Sequence, residues 1–194
     1  VQARGVPTSI AVDPTGRTVL VTTSCMPRTC DSGGVAIFAV DRATGALTLA
    51  PGAPVPSGGR YATSAVTDAS GRFVFAANQA PSPCPPACPQ STGVLAAFGI
   101  DAGMSGGAYP IGTFGGQPAG WPRLTADPQG RAVYLASDQD TSAFGYDAWS
   151  GALTPLGTSW PGGGGSNVFV VDPAGITAYL SVDCGLPGGC VVHA

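Results

Sequence analysis

The sequence predicts an all-β fold: a β-propeller of four-stranded antiparallel blades, present as a partial ring. Composition, an internal repeat and a second family of hairpins predict it. Thirty glycines and 19 prolines make up a quarter of the 194 residues, yet 44% of the chain is hydrophobic and only 10% charged. That balance excludes a disordered chain, which needs the reverse, and the length suits one domain with a real core. All eight basic residues are Arg and all eleven acidic ones are Asp. With Lys and Glu missing and two helix breakers abundant, a helical bundle is excluded. So are a Schiff-base lysine, a P-loop lysine and a glutamate general base. A formal net charge of −3 argues against nucleic acid as a partner.

The repeat carries most of the prediction. Four segments match: AVDPTGRTVLVTT (11–23), VTDASGRFVFAAN (66–78), TADPQGRAVYLAS (125–137) and VVDPAGITAYLSV (170–182). Their aspartates Asp13, Asp68, Asp127 and Asp172 stand 55, 59 and 45 residues apart. In each, an apolar strand runs into Asp-x-x-Gly and a β-rich strand runs out. Asp caps the turn through its side chain, Pro presets φ where it is present, and Gly supplies the left-handed position, so each segment reads as a β-hairpin.

A second hairpin follows each of the first three. GVAIFAVDRATGALTLAPG (34–52) crosses between Asp41 and Gly45, GVLAAFGIDAGMSGGAYPIG (93–112) repeats it with an altered turn, and TSAFGYDAWSGALTPLG (141–157) repeats it again. In VAIFAVD both faces are largely apolar: Val35, Ile37 and Ala39 on one, Ala36, Phe38 and Val40 on the other. A sheet apolar on both sides needs a neighbour on each side, which sheets stacked around an axis supply. A β-sandwich would need four near-copies of one turn by coincidence. The units run approximately 1–55, 56–114, 115–160 and 161–194, about three and a half blades of a single partial-propeller domain. Closed rings carry typically 4–8 blades, so closure is expected from further residues or from a second copy. Two open blade edges are templates for pairing, so the chain made alone is expected to self-associate.

These motifs resemble the lactonase family of seven-bladed β-propellers, which includes 6-phosphogluconolactonase-like proteins and the related YVTN-repeat surface proteins. The pattern that carries the resemblance is strand, D-P-x-G-R, aromatic-rich strand, loop, G-V-x-x-F-x-x-D, then T-G-A-L-T. It covers essentially the whole chain, and it consists of turn and strand motifs, so Asp13, Gly16, Arg17, Asp41 and Gly45 read as scaffold. The resemblance implies a histidine just after a proline at the start of an inner strand. The matching slots here are Pro7-Thr8-Ser9, Ala62-Thr63-Ser64, Pro122-Arg123-Leu124 and Asn167-Val168-Phe169. None carries His, and Arg123 is the one charged group among them.

With strands lettered a to d from the axis outward, the tight a–b turns lie on one face. The long b–c loops and the blade connections lie on the other, where function usually sits. Candidate ligand-binding residues on that face are Arg123, Arg60, Tyr61, Asn167 and Asp138, with Trp121, Trp160, Asn78, Gln79 and Asp183 beside them. Arginines there would pair a carboxylate or phosphate, and aromatics would stack a ring. The same loops carry three close cysteine pairs: Cys25 with Cys30, Cys84 with Cys88, and Cys184 with Cys190. A zinc site would need four ligands brought together, and the sequence has one histidine, His193. Three local disulfides need only loop closure, and they imply an oxidising, extracytoplasmic compartment.

Other motifs are weaker. Asp138-x-Asp140 lacks the remaining ligands of a calcium loop, and Ser24 and Ser64 have no histidine partner in register for a triad. GGGGS (162–166) reads as a natural blade connection, because the blade spacing continues through it. No metal or other cofactor is implied. No apolar run reaches the ~20 residues of a transmembrane helix. No leader is visible, and the chain reads as a piece of a longer exported protein. The functional expectation is a propeller binding a small molecule or protein ligand at the disulfide-bearing channel mouth. The alternative is a lactonase-like hydrolase of a cyclic ester, its acid/base groups in other blades.

Overall fold

A computed structural model describes residues 5–24, 33–59, 61–79, 93–101, 107–117, 121–137, 140–161, 168–182 and 191–193. Every assigned element among them is a strand. The first blade comprises β1 (Val6–Val12), β2 (Thr18–Ser24), β3 (Gly34–Val40) and β4 (Leu47–Leu49). The short β5 (Val55–Pro56) also pairs with β3, so two pieces share the outer position, separated by a segment containing Pro51 and Pro54. The second blade is β6 (Tyr61–Thr67), β7 (Phe73–Gln79), β8 (Gly93–Ile100) and β9 (Ala108–Gln117). The third is β10 (Arg123–Ala126), β11 (Ala132–Ala136), β12 (Asp140–Tyr146) and β13 (Leu153–Pro161). Three strands of a fourth follow: β14 (Val168–Val171), β15 (Ala178–Val182) and β16 (Val191–His193).

Within each blade, sequence neighbours pair antiparallel. Blades 1 and 2 touch edge to edge at a single pair, Ser24 with Tyr61, and otherwise pack face to face. Leu20, Val35 and Ile37 of blade 1 meet Ala65, Val74, Ala76 and Phe98 of blade 2. The other face of blade 2, through Phe73, Phe75 and Leu95, meets Leu124, Val133, Leu135 and Phe144 of blade 3. Ala136 and Tyr134 on the far face of blade 3 meet Phe169 and Val171 of blade 4. The alternation in the chain thus sends odd residues of a strand to one neighbour and even residues to the other. The fold is a partial β-propeller with its core in the seams between blades.

The a–b turns are built as their residues dictate. Asp13 accepts from the backbone N–H of Thr15, Arg17 and Thr18 at 2.9, 2.7 and 2.5 Å, and from the Thr15 hydroxyl. Asp68 repeats this with Ser70, Arg72 and Phe73. Gly16, Gly71, Gly130 and Gly175 follow at φ between 67° and 73°, the left-handed region a side chain avoids. Neighbouring turns also interlock. A Cβ built on Gly71 would lie 2.8 Å from Asp13 Oδ2, and one on Gly175 would lie 2.8 Å from Asp127 Oδ1. In blade 3 the Thr/Ser of the first two turns is replaced by Gln129, and Arg131 takes over. Its Nε donates to Asp127 at 2.6 Å and its Nη2 to the Gly175 carbonyl of blade 4, while Gln129 Nε2 donates to the Pro173 carbonyl at 3.0 Å.

Candidate functional site

At the opposite end from these turns, the inner strands begin. There the register departs from what the sequence alignment suggests. In β1 the ladder steps from Pro7 to Ser9, and in β6 from Ala62 to Ser64, leaving Thr8 and Thr63 as bulge residues. Arg123 pairs with Ala136 as Ser9 pairs with Thr22 and Ser64 with Ala77. Arg123 is therefore equivalent to Ser9 and Ser64, not to Thr8 and Thr63 as the slots suggest. The bulge adds a residue to blades 1 and 2 and re-aims its side chain.

The bulges lace blade to blade. Thr8 Oγ1 donates to the Ala62 carbonyl at 2.5 Å, and Thr63 Oγ1 donates to the Pro122 carbonyl at 2.6 Å. Ser64 Oγ accepts from the Leu124 N–H at 3.1 Å, and Thr125 Oγ1 donates to the Phe169 carbonyl at 2.6 Å. Each link joins one inner strand to the next. In blade 1 the proton order is fixed by exclusion. A carbonyl only accepts, so the Thr8 proton goes to Ala62. Thr22 must then donate to Thr8 across 2.8 Å, and Ser9 to Thr22 across 2.7 Å.

These starts of three inner strands enclose a cleft of about 120 Å³, lined by Thr8, Thr63, Trp121, Pro122 and Arg123. The hydroxyl protons of Thr8 and Thr63 are already committed to carbonyls, so neither hydroxyl is a free donor. The side-chain donors among the described lining residues are the Arg123 guanidinium and the Trp121 indole N–H. Trp121 is 56% exposed and presents an aromatic face. Arg123 is exposed and has no carboxylate partner among the described residues. The arrangement suits a small ligand with an acceptor oxygen for Arg123, hydroxyls for the threonines, and a ring for Trp121.

Of the residues singled out from sequence, the structure brings Arg123 and Trp121 to this cleft. Tyr61 opens β6, half-buried, its backbone paired with Ser24 and Gln79, and it does not line the cleft. Asn78 is not a ligand group. It is 1% exposed, its Nδ2 donates to the Ser57 carbonyl at 2.5 Å, and its Oδ1 accepts from Ser57 Oγ at 2.6 Å, tying the blade 1–2 connection to β7. Arg60, Asn167, Asp138 and Asp183 lie outside the described residues. So do all six cysteines expected to form disulfides: Cys25, Cys30, Cys84, Cys88, Cys184 and Cys190. Sequence reasoning names Thr8 and Thr63 only as occupants of the slots where the resemblance implies a histidine, and does not offer them as ligand-binding groups. Their common place, five residues before the turn aspartate in each blade, is the available signal. No cluster of metal-ligating side chains occurs among the described residues, and no helix there is long and apolar enough to cross a membrane.

Inner strands laced around an axis, with blades packed face to face, decide the architecture. The fold is that of the lactonase-like β-propellers. Over 92% of its length the chain is similar to 47% of a candidate 6-phosphogluconolactonase of Bacteroides fragilis, at 19% identity and a TM-score of 0.59. It is similar to the periplasmic gluconolactonase of Pseudomonas aeruginosa at 16% identity and a TM-score of 0.64, covering 97% of this chain and 56% of that one. It is also similar to a protein of unknown function from Desulfotomaculum acetoxidans, at 14% identity and 0.61, covering 98% and 72%. The chain spans about half the length of the first two. No protein-family model and no curated protein matches it.

Proposed function

We propose that the chain forms part of an extracytoplasmic lactonase-like hydrolase that opens a cyclic ester at the inner-rim cleft. The observation that carries this reading is the meeting of Arg123 and Trp121 with Thr8 and Thr63 from three consecutive inner strands. In ester opening, water adds to the carbonyl carbon, negative charge develops on the carbonyl oxygen, and the ring C–O bond then breaks. A guanidinium at that oxygen stabilises the charge. It also pairs the carboxylate of the hydroxy-acid product. Trp121 offers its face to the ring, and the threonine lone pairs accept from ring hydroxyls. The similarity to the Pseudomonas periplasmic enzyme supports the chemistry. That similarity supports the compartment too, as do the three cysteine pairs, Cys25 with Cys30, Cys84 with Cys88 and Cys184 with Cys190, proposed as disulfides. Arg60, Tyr61, Asn167 and Asp138 are proposed to extend the same rim.

The test is hydrolysis of a panel of sugar and aliphatic lactones by the full-length protein that contains this chain, followed by acid release at constant pH. Acceleration over spontaneous hydrolysis, lost by at least tenfold in Arg123→Ala, is the expected result. No acceleration with any lactone refutes the hydrolase reading. One observation favours a second reading, a propeller that binds without turnover: none of the described residues lining the cleft is a general base. Calorimetric binding of a hydroxy acid that Arg123→Ala weakens, with no lactone turned over, selects it.

A further inference from the structure

The bulge that opens blade 2 reaches into blade 3 with two consecutive side chains. In a regular strand Thr63 and Ser64 would point to opposite faces. The extra residue in β6 turns both toward β10. Thr63 Oγ1 donates to the Pro122 carbonyl at 2.6 Å, and Ser64 Oγ accepts from the Leu124 N–H at 3.1 Å. Those two groups belong to the residues on either side of Arg123, and the ladder pairs Arg123 itself with Ala136. The backbone that carries the guanidinium is therefore held along both edges. Ser9, at the same register position in blade 1, is used differently. It donates to Thr22 within its own blade at 2.7 Å. In blade 2 the place of Thr22 is taken by Ala77, which offers Ser64 no side-chain partner and leaves its lone pairs to the Leu124 amide.

We infer that Ser64 is a positioning residue for Arg123. Ser64 does not line the cleft, so it acts through the arginine. Arg123 is exposed, and no carboxylate among the described residues holds its guanidinium. Its direction into the cleft is then set by its backbone. A long side chain magnifies a small rotation at its Cα, and a misplacement of about 1 Å at a reacting centre can cost about a hundredfold in rate. Thr63, buried and bonded also to the Ala77 carbonyl of its own blade, anchors the grip on one side of Arg123. Ser64 completes it on the other. The consequence for turnover rests on the hydrolase reading, whereas the effect on Arg123 does not.

NMR relaxation of labelled arginine Nε–H groups, in the full-length protein that contains this chain and without ligand, tests it. In the parent, the Arg123 Nε–H is expected to be more ordered than that of Arg42, at the exposed turn between β3 and β4. Ser64→Ala is expected to bring Arg123 to the level of Arg42. Ser64→Thr, which keeps an acceptor, is expected to retain most of the order, and Ser9→Ala to leave it unchanged. Ser64→Cys, with a weak acceptor of nearly the same shape, gives the same reading if Ser64→Ala does not fold. No change in Ser64→Ala overturns the inference. So does an equal loss in Ser9→Ala, which marks general loosening of the rim. With a lactone that is turned over, Ser64→Ala is expected to lower kcat about tenfold with KM little changed. In the Arg123→Ala background it should change the residual rate by less than about twofold. An equal loss in both backgrounds overturns the inference. Loss of Arg123 order in Ser64→Ala with no lactone opened by the parent supports the positioning and refutes the hydrolase reading instead.

Discussion

Thr63 shows how much one hydroxyl does here. It is buried, and its proton is shared between the Ala77 carbonyl of its own blade at 3.2 Å and the Pro122 carbonyl of the next at 2.6 Å. Thr63→Val keeps the shape and leaves two carbonyls short of a donor. It is expected to destabilise by about 1–3 kcal/mol in urea unfolding. It should also weaken any cleft ligand, because Pro122 immediately precedes Arg123. The turn aspartates make a second prediction. Asp68 is 4% exposed and accepts four hydrogen bonds. Asp68→Ala should cost about 3 kcal/mol by the same measurement, and Asp41→Ala, at an exposed turn, clearly less. The scaffold role of Asp13 and Asp41 was legible because Asp followed by Gly at fixed spacing has one common use in a turn. The roles of Thr8, Thr63 and Asn78 were not legible. A threonine in a strand looks the same whether it faces water or a neighbouring blade's carbonyl.

At the scale of the element, the hairpins were readable and the bulges were not. Alternation and turn chemistry fix which strands pair. One extra residue in β1 and β6 leaves the hydrophobic pattern nearly intact, yet it shifts Arg123 by one slot relative to blades 1 and 2. The interlocked turns were also invisible, since they depend on the neighbouring blade. They make a prediction that separates two glycines of similar φ. A Cβ on Gly16 meets nothing within 4 Å, whereas one on Gly71 meets Asp13 Oδ2 at 2.8 Å. Gly16→Ala should cost about 1 kcal/mol, the left-handed penalty alone, and Gly71→Ala visibly more in thermal unfolding. The turns also set the acid limit. Burial pushes the Asp13 carboxyl up, but hydrogen bonds from Thr15, Thr18 and Arg17 outweigh it and hold it below its ordinary value. For Asp127, burial is likewise outweighed by hydrogen bonds, first that from Arg131. The backbone N–H of Thr177 leads in lowering Asp172. The unfolded chain therefore takes up protons first as pH falls. The turn contribution is whole above the ordinary Asp value of about 3.9 and is lost below it, as the folded aspartates are protonated in turn. A melting temperature that is level from neutral pH to about 5 and drops below about 4 is the expected profile.

For the whole molecule, the fold class followed from four copies of one turn and from strands apolar on both faces. A sheet with two apolar faces has few places to go, and each described seam is filled as that logic requires. The candidate site was legible only in outline. The loop face was predictable from topology, but convergence of three strand starts on one cleft depends on how far each blade is rotated against the next. That rotation is set by packing and by the threonine links rather than by any motif. Those links are also where the account is most directly testable. Proton–proton contacts measured by NMR on selectively labelled protein should connect Thr8 with Ala62, Thr63 with Pro122 and Thr125 with Phe169, pairs 54, 59 and 44 residues apart. All three sets of contacts are the predicted result, because only consecutive blades stacked around one axis bring them about. Their absence, with contacts instead between core residues of blades 1 and 3 such as Ile37 and Leu135, would mean two sandwiched layers and would contradict the propeller.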